Sequence, residues 1–585
     1  MNIILSTLNA KYIHSSLALR YLKAYSEDEF PTIQICEYSI NEPLMTILTN
    51  LYEKKPDVIG FSCYIWNIEE TIQLIQMIKK VQPDVMVILG GPEVSYDIPY
   101  WFKRVKEIDV IVYGEGEATF KQLLLTIQAK KELEGVQGIA YRIVKGHQVN
   151  PPQANINLND IPSPYQDDQD LATLQDKIVY FEASRGCPFS CAYCLSSIET
   201  GVRYFSVERV KRDLLRLINS GVKTIKFVDR TFNIHKRYAM EIFQFLIENH
   251  QNTVFQFEIT ADIMKEDVLQ YLIDHAPKGV FRFEIGVQST NDYTNSLVNR
   301  RQNFKKLSQT VLKIKETDKI DQHLDLIAGL PEEDYESFRK TFNDVFALRP
   351  EELQLGFLKM LRGTQIWYEA SKYGYQYQDY APYEILQNDV LSFEDVIRIK
   401  RLEDVLEKYW NSHRMNKTIE YLVREEFASP FDFFQEFGDY WAEKGWNRIG
   451  HQVETLFLRL LEFLENKRTK ELDFIVSLMK FDYFMNFKYK PRKTWWEFEI
   501  PKQKHNEMIK MLAEFPEKVS SDFAFLRLDE KDIHKHSMME LLSFDLPQYF
   551  LSGQKVRVDT LLMIYYQPPD IAQPFFGYCC TKKTV

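Results

Sequence analysis

The chain has 585 residues, 45% of them hydrophobic and 26% charged, with 83 acidic against 72 basic side chains and a net charge of −11. That length predicts about three domains rather than one core, and the acidic balance lays down no electrostatic footprint for nucleic acid. No apolar run reaches the ~18 residues a membrane span needs, and the start at Met1 reads as a strand rather than a leader, so a cytoplasmic protein without membrane or nucleic-acid partners is expected.

Residues 1–145 alternate short apolar runs with helical stretches. Strands are predicted over 2–6, 32–37, 57–62, 85–89 and 109–113, and helices over 15–25, 42–53, 68–81 and 118–130. This alternation predicts an α/β fold with a doubly wound, Rossmann-like parallel sheet. Such sheets bind ligands beyond the carboxyl ends of their strands. Those ends carry Ser62-Cys63-Tyr64, Gly90-Gly91-Pro92-Glu93 and Gly114-Glu115-Gly116-Glu117. Their glycines let backbone approach a ligand, or simply serve turns. The G-x-G-x-x-G fingerprint is absent after the first strand, so a nicotinamide site is not expected.

Residues 146–176 are rich in Pro, Asn and Asp, including Pro151-Pro152, Asn159-Asp160, Pro162 and Pro164, and read as a linker. The next run, from Ile178 to Gly186, reads as a buried strand entering a loop. Cys187-Pro-Phe-Ser-Cys191-Ala-Tyr-Cys194 follows, placing three of the seven cysteines within eight residues. Clustered thiolates suit zinc or an iron–sulfur cluster. Both commonly take four protein ligands, and no fourth Cys or His lies nearby, the next histidine being His235. Three ligands leave one metal position open for chemistry. Three buried structural cysteines are the alternative.

A second βα series follows. Strands are predicted over 224–229, 253–260, 280–287, 321–328 and 352–359, with helices over 236–249, 265–275, 304–314 and 335–348. With the strand at Ile178 this makes six βα steps over 177–365, and chemistry in barrels of this kind sits at the C-terminal strand ends. From 366 to 585 the pattern turns mainly helical and aromatic, as over 393–409, 431–446 and 451–466.

The cysteine run resembles the motif of the radical S-adenosylmethionine (SAM) enzymes, C-x3-C-x-aromatic-C, with Tyr193 in the aromatic place. The resemblance implies a partial (β/α)6 TIM-type barrel and a [4Fe–4S] cluster held by Cys187, Cys191 and Cys194. SAM would bind the fourth iron and be cleaved by one electron to methionine and a 5′-deoxyadenosyl radical, with flavodoxin or ferredoxin as donor. The resemblance also implies SAM contacts. Beside Tyr193 these are Asp229, where the family usually has Gly-Gly-Glu; Glu284, Gln288 and Ser289 on the fourth strand; Asp325 on the fifth; and Lys359 and Arg362 after the sixth. Carboxylates suit the ammonium and ribose hydroxyls, and Lys or Arg suits the carboxylate.

A doubly wound domain ahead of such a core resembles the cobalamin-dependent radical SAM enzymes, and residues 366–585 resemble the helical domain of an uncharacterised branch of them. The implied cobalamin contacts are Asn9, Ser62, Cys63, Tyr64, Gly90, Gly91, Gly114, Glu115 and Gly116. The D-x-H-x-x-G motif that supplies a cobalt ligand elsewhere is absent. His14, the single histidine of that region, is read as a capping or packing group, with cobalt ligation as the alternative. The tRNA methylthiotransferases share this domain order but need three further cysteines in the N-terminal domain, where only Cys36 and Cys63 stand. Cys36 is expected in the core. Cys579-Cys580 reads as a buried or frayed end, with a redox or methyl-accepting thiol and a second cluster as alternatives.

The expected reaction is methyl transfer to an unactivated carbon of a small molecule or natural product, through a cobalamin that SAM has methylated. Radical ring closure or rearrangement with the same cofactors is the alternative, and a non-catalytic cobalamin-binding protein is the other.

Overall fold

The computed structural model describes residues 1–198, 201–498, 500, 502–516, 529–566 and 573–578. Cys579 and Cys580 lie outside them. The chain forms two compact units, Met1–Val396 and Ile397–Val585.

The first unit opens with a seven-stranded sheet. Its strands are β1 (Ile3–Asn9), β2 (Gln34–Ser39), β3 (Val58–Ser62), β4 (Met86–Gly90), β5 (Val110–Val112), β6 (Ile139–Ile143) and β7 (Gly146–Val149), in the order β2-β1-β3-β4-β5-β6-β7. The first five pair in parallel. Every residue of β1 is buried, as expected for a strand with helices on both faces. One face packs a core of Ile47, Leu51, Ile75 and Trp101, and the other a core of Leu19, Phe120 and Leu123. The chain order reverses at β1, so the switch point of the winding lies there.

Two features depart from the sequence-based expectation. The end of the predicted first domain and the start of the stretch read as a linker form the antiparallel hairpin β6–β7, which closes the sheet edge next to β5. The segment after β4 forms short helices over Pro92–Ser95 and Ile98–Arg104.

Six further strands, β8 (Ile178–Phe181), β11 (Thr224–Phe227), β12 (Val254–Ile259), β13 (Phe281–Gln288), β14 (Asp321–Ala328) and β15 (Glu352–Phe357), pair in parallel and in chain order. Between β8 and β11 lies a small antiparallel hairpin, β9 (Ser184–Cys187) with β10 (Gly201–Tyr204). Helices Val207–Asn219, Lys236–Asn249, Glu266–His275, Phe304–Lys315 and Tyr335–Phe346 alternate with the barrel strands. Three of the starts are fixed locally: the His235, Asn303 and Asp334 side chains accept from free backbone N–H groups of the first turn.

Burial alternates along β13, with Phe281, Phe283, Ile285 and Val287 buried. Phe281 and Phe283 pack with Phe243 of the helix outside. Arg282, Glu284, Gly286 and Gln288 therefore face the inside of the curved sheet. A short hairpin, β16 (Gln376–Tyr377) with β17 (Ile385–Gln387), follows the barrel.

The second unit packs helices Pro430–Glu443, Val453–Asn466 and Leu472–Met485 among others. It also contains an antiparallel sheet of β18 (Ser537–Phe544), β19 (Arg557–Tyr565) and β20 (Gln573–Tyr578), which the sequence reading did not anticipate. Among the described residues no helix is long and apolar enough to cross a membrane.

Candidate active site

The cysteine loop is held from three sides. Gly186 has φ of +97°, and a Cβ there would lie 2.1 Å from the Gly201 carbonyl oxygen, so only glycine lets β9 and β10 approach and deliver Cys187. At the end of β11, Asp229 accepts from the Ala183 N–H at 3.0 Å and from the Ser184 hydroxyl. Tyr238 donates to the Ala183 carbonyl at 2.9 Å. Further along, Ala192 N donates to Val298 O, and Ile366 N to Ala192 O.

The three thiols are reduced. Burial, and then the neighbouring Cys194 and Cys191, push the Cys187 thiol up, so the three sit within electrostatic reach of one another. Among the described residues no group of three or more His, Cys, Asp or Glu is arranged to hold a metal ion as it stands. The donor set nonetheless fits an iron–sulfur cube, which takes one thiolate at each of several separate corners. Tyr193 packs its ring in an apolar cluster and offers its hydroxyl to Arg300 at 3.2 Å. Arg300 in turn donates to the Gly286 carbonyl and to Gln302.

The barrel interior is ionic. The strand register sets Glu258, Glu284, His323 and Glu352 side by side. Lys226 reaches Glu284 at 2.7 Å, Arg282 reaches Glu352 at 2.5 Å, and His323 lies 3.0 Å from Asp325 and 3.2 Å from Glu352. Burial opposes the charge on His323, but its bonds to Asp325 and Glu352 prevail and push it up to about 9. The His323 bond, then that of Arg282, brings Glu352 down to about 2.

Beside the cysteine loop, at the C-terminal strand ends, lies a cavity of about 680 Å3 lined by Phe189, Ser190, Asp262, Asn295, Arg300 and Arg301 among others. That volume is in the range of small-molecule sites.

Several residues expected to touch SAM have other partners. Asp229 is 1% exposed, and both its oxygens serve the cysteine loop, so it anchors that loop. Arg362 lies 3.7 Å from the Tyr100 ring centroid and pairs with Asp97 at 3.1 Å, so it is committed to the segment after β4. Ser289 is fully buried and donates to Glu333. Glu284, Asp325 and Gln288 face the interior, with Gln288 at φ +66° beside a β-bulge. Lys359 bridges to Glu384 just beyond β15.

At the carboxyl edge of the first sheet, Gly91 has φ of +107°, and a Cβ would lie 2.5 Å from the Cys63 carbonyl oxygen. Gly90 accepts from Cys63 N at 2.7 Å. A Cβ at Gly114 would meet nothing within 4 Å, so open space lies over this loop, and Gly116 starts the helix Gly116–Gln128. These loops fit a cradle for the tail of a large cofactor. Asn9 donates to the His14 carbonyl at 3.1 Å, and Ser62 ends β3. Tyr64 stacks on exposed Trp66 at 4.3 Å.

Two expected contacts point elsewhere. Cys63 is fully buried, with its thiol 3.7 Å from the Phe61 carbonyl oxygen. Glu115 is held by Arg185 at 3.2 Å and by Arg203. His14 meets the Tyr180 hydroxyl at 2.9 Å through Nδ1 and bridges to Ile178, so it docks on the first barrel strand. Cys36, mid-strand in β2, is half-buried rather than in the core.

Both sets of loops converge. Ile65, after β3, and Ala192 and Tyr193, in the cysteine loop, share one apolar cluster with Leu358, Met360 and Tyr383. Sequence reasoning missed Arg185, Arg203, Lys226, His323 and Arg300. Only Arg185, inside the Ser-Arg-Gly-Cys run, carried a positional signal.

Comparison with known proteins agrees with this layout. Residues 4–124 match the family described as B12 binding domain, residues 181–345 the Radical SAM superfamily, and residues 371–565 a family described as protein of unknown function (DUF4080). The chain therefore joins a B12 binding domain to a radical SAM domain, as the cobalamin-dependent radical SAM enzymes do. An uncharacterized methyltransferase of Pyrococcus horikoshii is 31% identical over 39% of this chain and 51% of its own length. The cobalamin-dependent radical SAM methyltransferase TokK of Streptomyces tokunonensis is 28% identical over 49% of this chain and 44% of its own. The chain thus spans about half the length of the curated relatives it matches. The fold is shared with the radical SAM methyltransferase TsrM from Kitasatospora setae, solved with cobalamin and a [4Fe-4S] cluster (TM-score 0.55, 16% identity, 65% of this chain and 78% of that one). It is shared equally with the cobalamin-dependent enzyme OxsB bound to aqua-cobalamin and SAM (TM-score 0.55, 16% identity, 82% and 78%).

Proposed function

We propose that this chain is a cobalamin-dependent radical SAM enzyme that transfers a methyl group to an unactivated carbon of a small molecule. The convergence of Ile65 with Ala192 and Tyr193 in one apolar cluster carries the reading, because it packs the loop after β3 against the cysteine loop. Residues 1–145 would bind cobalamin and 177–365 would form the radical SAM core, joined through 146–176. Residues 366–585 would form a mainly helical C-terminal domain, of which the stretch up to Val396 belongs to the first compact unit.

Cys187, Cys191 and Cys194 would hold a [4Fe–4S] cluster. When bound, the cluster supplies one-electron cleavage of SAM, and cobalamin supplies the methyl group. The chain's own residues set the stage. Asp229, Tyr238 and Gly186 fix the cysteine loop, while Tyr193 and Arg300 tie it to β13. Glu284, Gln288, Asp325 and Lys359 would offer polar contacts to SAM. Gly90, Gly91, Gly114, Gly116, Asn9, Ser62 and Tyr64 would line the cobalamin cradle. A flavodoxin or ferredoxin would supply electrons in the cytoplasm.

The test is anaerobic incubation with a reductant, cobalamin, SAM labelled in its methyl group and a panel of candidate substrates. Label in product together with 5′-deoxyadenosine supports methyl transfer. Radical ring closure is the second reading, because a relative aligned over 55% of this chain is named anaerobic magnesium-protoporphyrin IX monomethyl ester cyclase. It would give 5′-deoxyadenosine and an unlabelled product.

A further inference from the structure

Two guanidiniums tie the loop after β5 to the hairpin that begins the cysteine motif. Arg185 lies on β9, two residues before Cys187. It reaches Glu115 at 3.2 Å, Glu117 at 2.5 Å and Glu182 at 3.0 Å. Glu115 directly precedes the helix Gly116–Gln128, Glu117 lies in its first turn, and Glu182 follows β8. Arg203 stands opposite Arg185 in the register of β9 with β10. It binds the same Glu115 and also the Ile156 carbonyl at 2.9 Å.

The tie is sheltered. The side chains of Arg185, Glu115, Glu117 and Glu182 are 15%, 10%, 6% and 14% exposed, so solvent screens it little. Its hairpin end is stiff. The hairpin is pinned by Gly186, and Arg185 also lies 5.3 Å from the Tyr21 ring centroid. Gly114 and Gly116, which flank Glu115, belong to the proposed cobalamin cradle.

We infer that Arg185 is a positioning residue that couples the loop after β5 to the cysteine loop, so that filling one cofactor site changes affinity at the other. The inference rests on the cobalamin reading above. A cofactor seated against Gly114 shifts Glu115, Glu115 carries Arg185, and Arg185 carries Cys187 along the same strand. Thermodynamic linkage makes the effect reciprocal, so cluster loading changes cobalamin affinity by the same factor.

The test uses the full chain, as iron-free protein and as anaerobically reconstituted protein, titrated with hydroxocobalamin and read by absorbance. Wild type is expected to show at least about a fivefold difference in dissociation constant between the two forms, the lower end of usual coupling. With excess reductant present, so that the cobalt(III) of hydroxocobalamin does not drain the cluster's electron, the spectrum of the reduced cluster in electron paramagnetic resonance shifts when the cobalamin is added. In Arg185→Met both cofactors still bind, the ratio collapses toward one and the shift disappears. Arg185→Lys keeps part of the coupling through its charge. Should Arg185→Met fail to fold, Glu117→Gln removes one arm of the tie and must lower the ratio.

An unchanged ratio in the variants, or none in wild type, overturns the inference. Failure of wild type to bind hydroxocobalamin in either form overturns the functional reading instead.

Discussion

The Tyr383 hydroxyl donates to Glu93 Oε1 at 2.5 Å, joining the segment after the barrel to the loop after β4. Arg362 lies 5.3 Å from the Tyr383 ring centroid, and its pairing with Asp97 completes the contact. The two halves of the first unit therefore share a buried polar joint as well as the apolar cluster.

The joint predicts a pH dependence. Burial pushes Glu93 up to about 7, against the opposing bond from Tyr383 and charge of Arg362. In the unfolded chain its carboxyl ionises near ~4.3, whereas in the folded one it stays protonated until about 7. Stability from this group is therefore lost as pH rises across that window, by about 4 kcal/mol at ~1.4 kcal/mol per unit. Glu93→Gln should match wild type in urea unfolding near pH 4 and exceed it by about that amount near pH 8. A constant difference across the range would contradict the assignment.

Asp229→Asn keeps one acceptor oxygen where two now serve Ala183 and Ser184. The buried partner left behind should lower stability by about 1–3 kcal/mol. Iron bound per chain after reconstitution is expected to fall. A direct SAM contact at this position would instead leave iron loading intact and weaken SAM binding alone.

Gly186→Ala places a Cβ against the Gly201 carbonyl oxygen at a positive φ. The hairpin must open, at roughly 1–3 kcal/mol for the backbone alone. Circular dichroism should show a largely retained fold while iron loading is lost, because the damage is confined to the strand that carries Cys187.

Arg362→Met should lower the thermal midpoint while leaving the SAM dissociation constant near that of wild type, since the guanidinium is stacked on Tyr100 and paired to Asp97. Loss of SAM binding with unchanged stability would restore it to the SAM site.

Much of the architecture was legible because parallel strands are continuous apolar runs. The helices 68–81 and 236–249 and the strand 321–328 fall where their periodicity sets them. The hairpin β6–β7 escaped because the Pro- and Asn-rich stretch that follows it dominates the local composition. The turn at Lys145-Gly146, with Gly146 at φ +106°, was its signal. The sheet β18–β20 escaped because short apolar runs in a helical region do not distinguish strand from helix.

At the site, spacing revealed the cysteines, but the partners of charged residues depend on contacts between distant segments. Glu115 and Arg185 are 70 residues apart, and Arg362 and Asp97 are 265 apart. No local pattern announces such pairs.

The most direct test is iron and SAM chemistry on the anaerobically reconstituted full chain. The account predicts about four irons per chain, and 5′-deoxyadenosine formed from SAM only when a reductant is present. Both should vanish when Cys187, Cys191 and Cys194 are all replaced by alanine. A single zinc ion held by those cysteines, or SAM left intact by a fully reduced cluster, would contradict it.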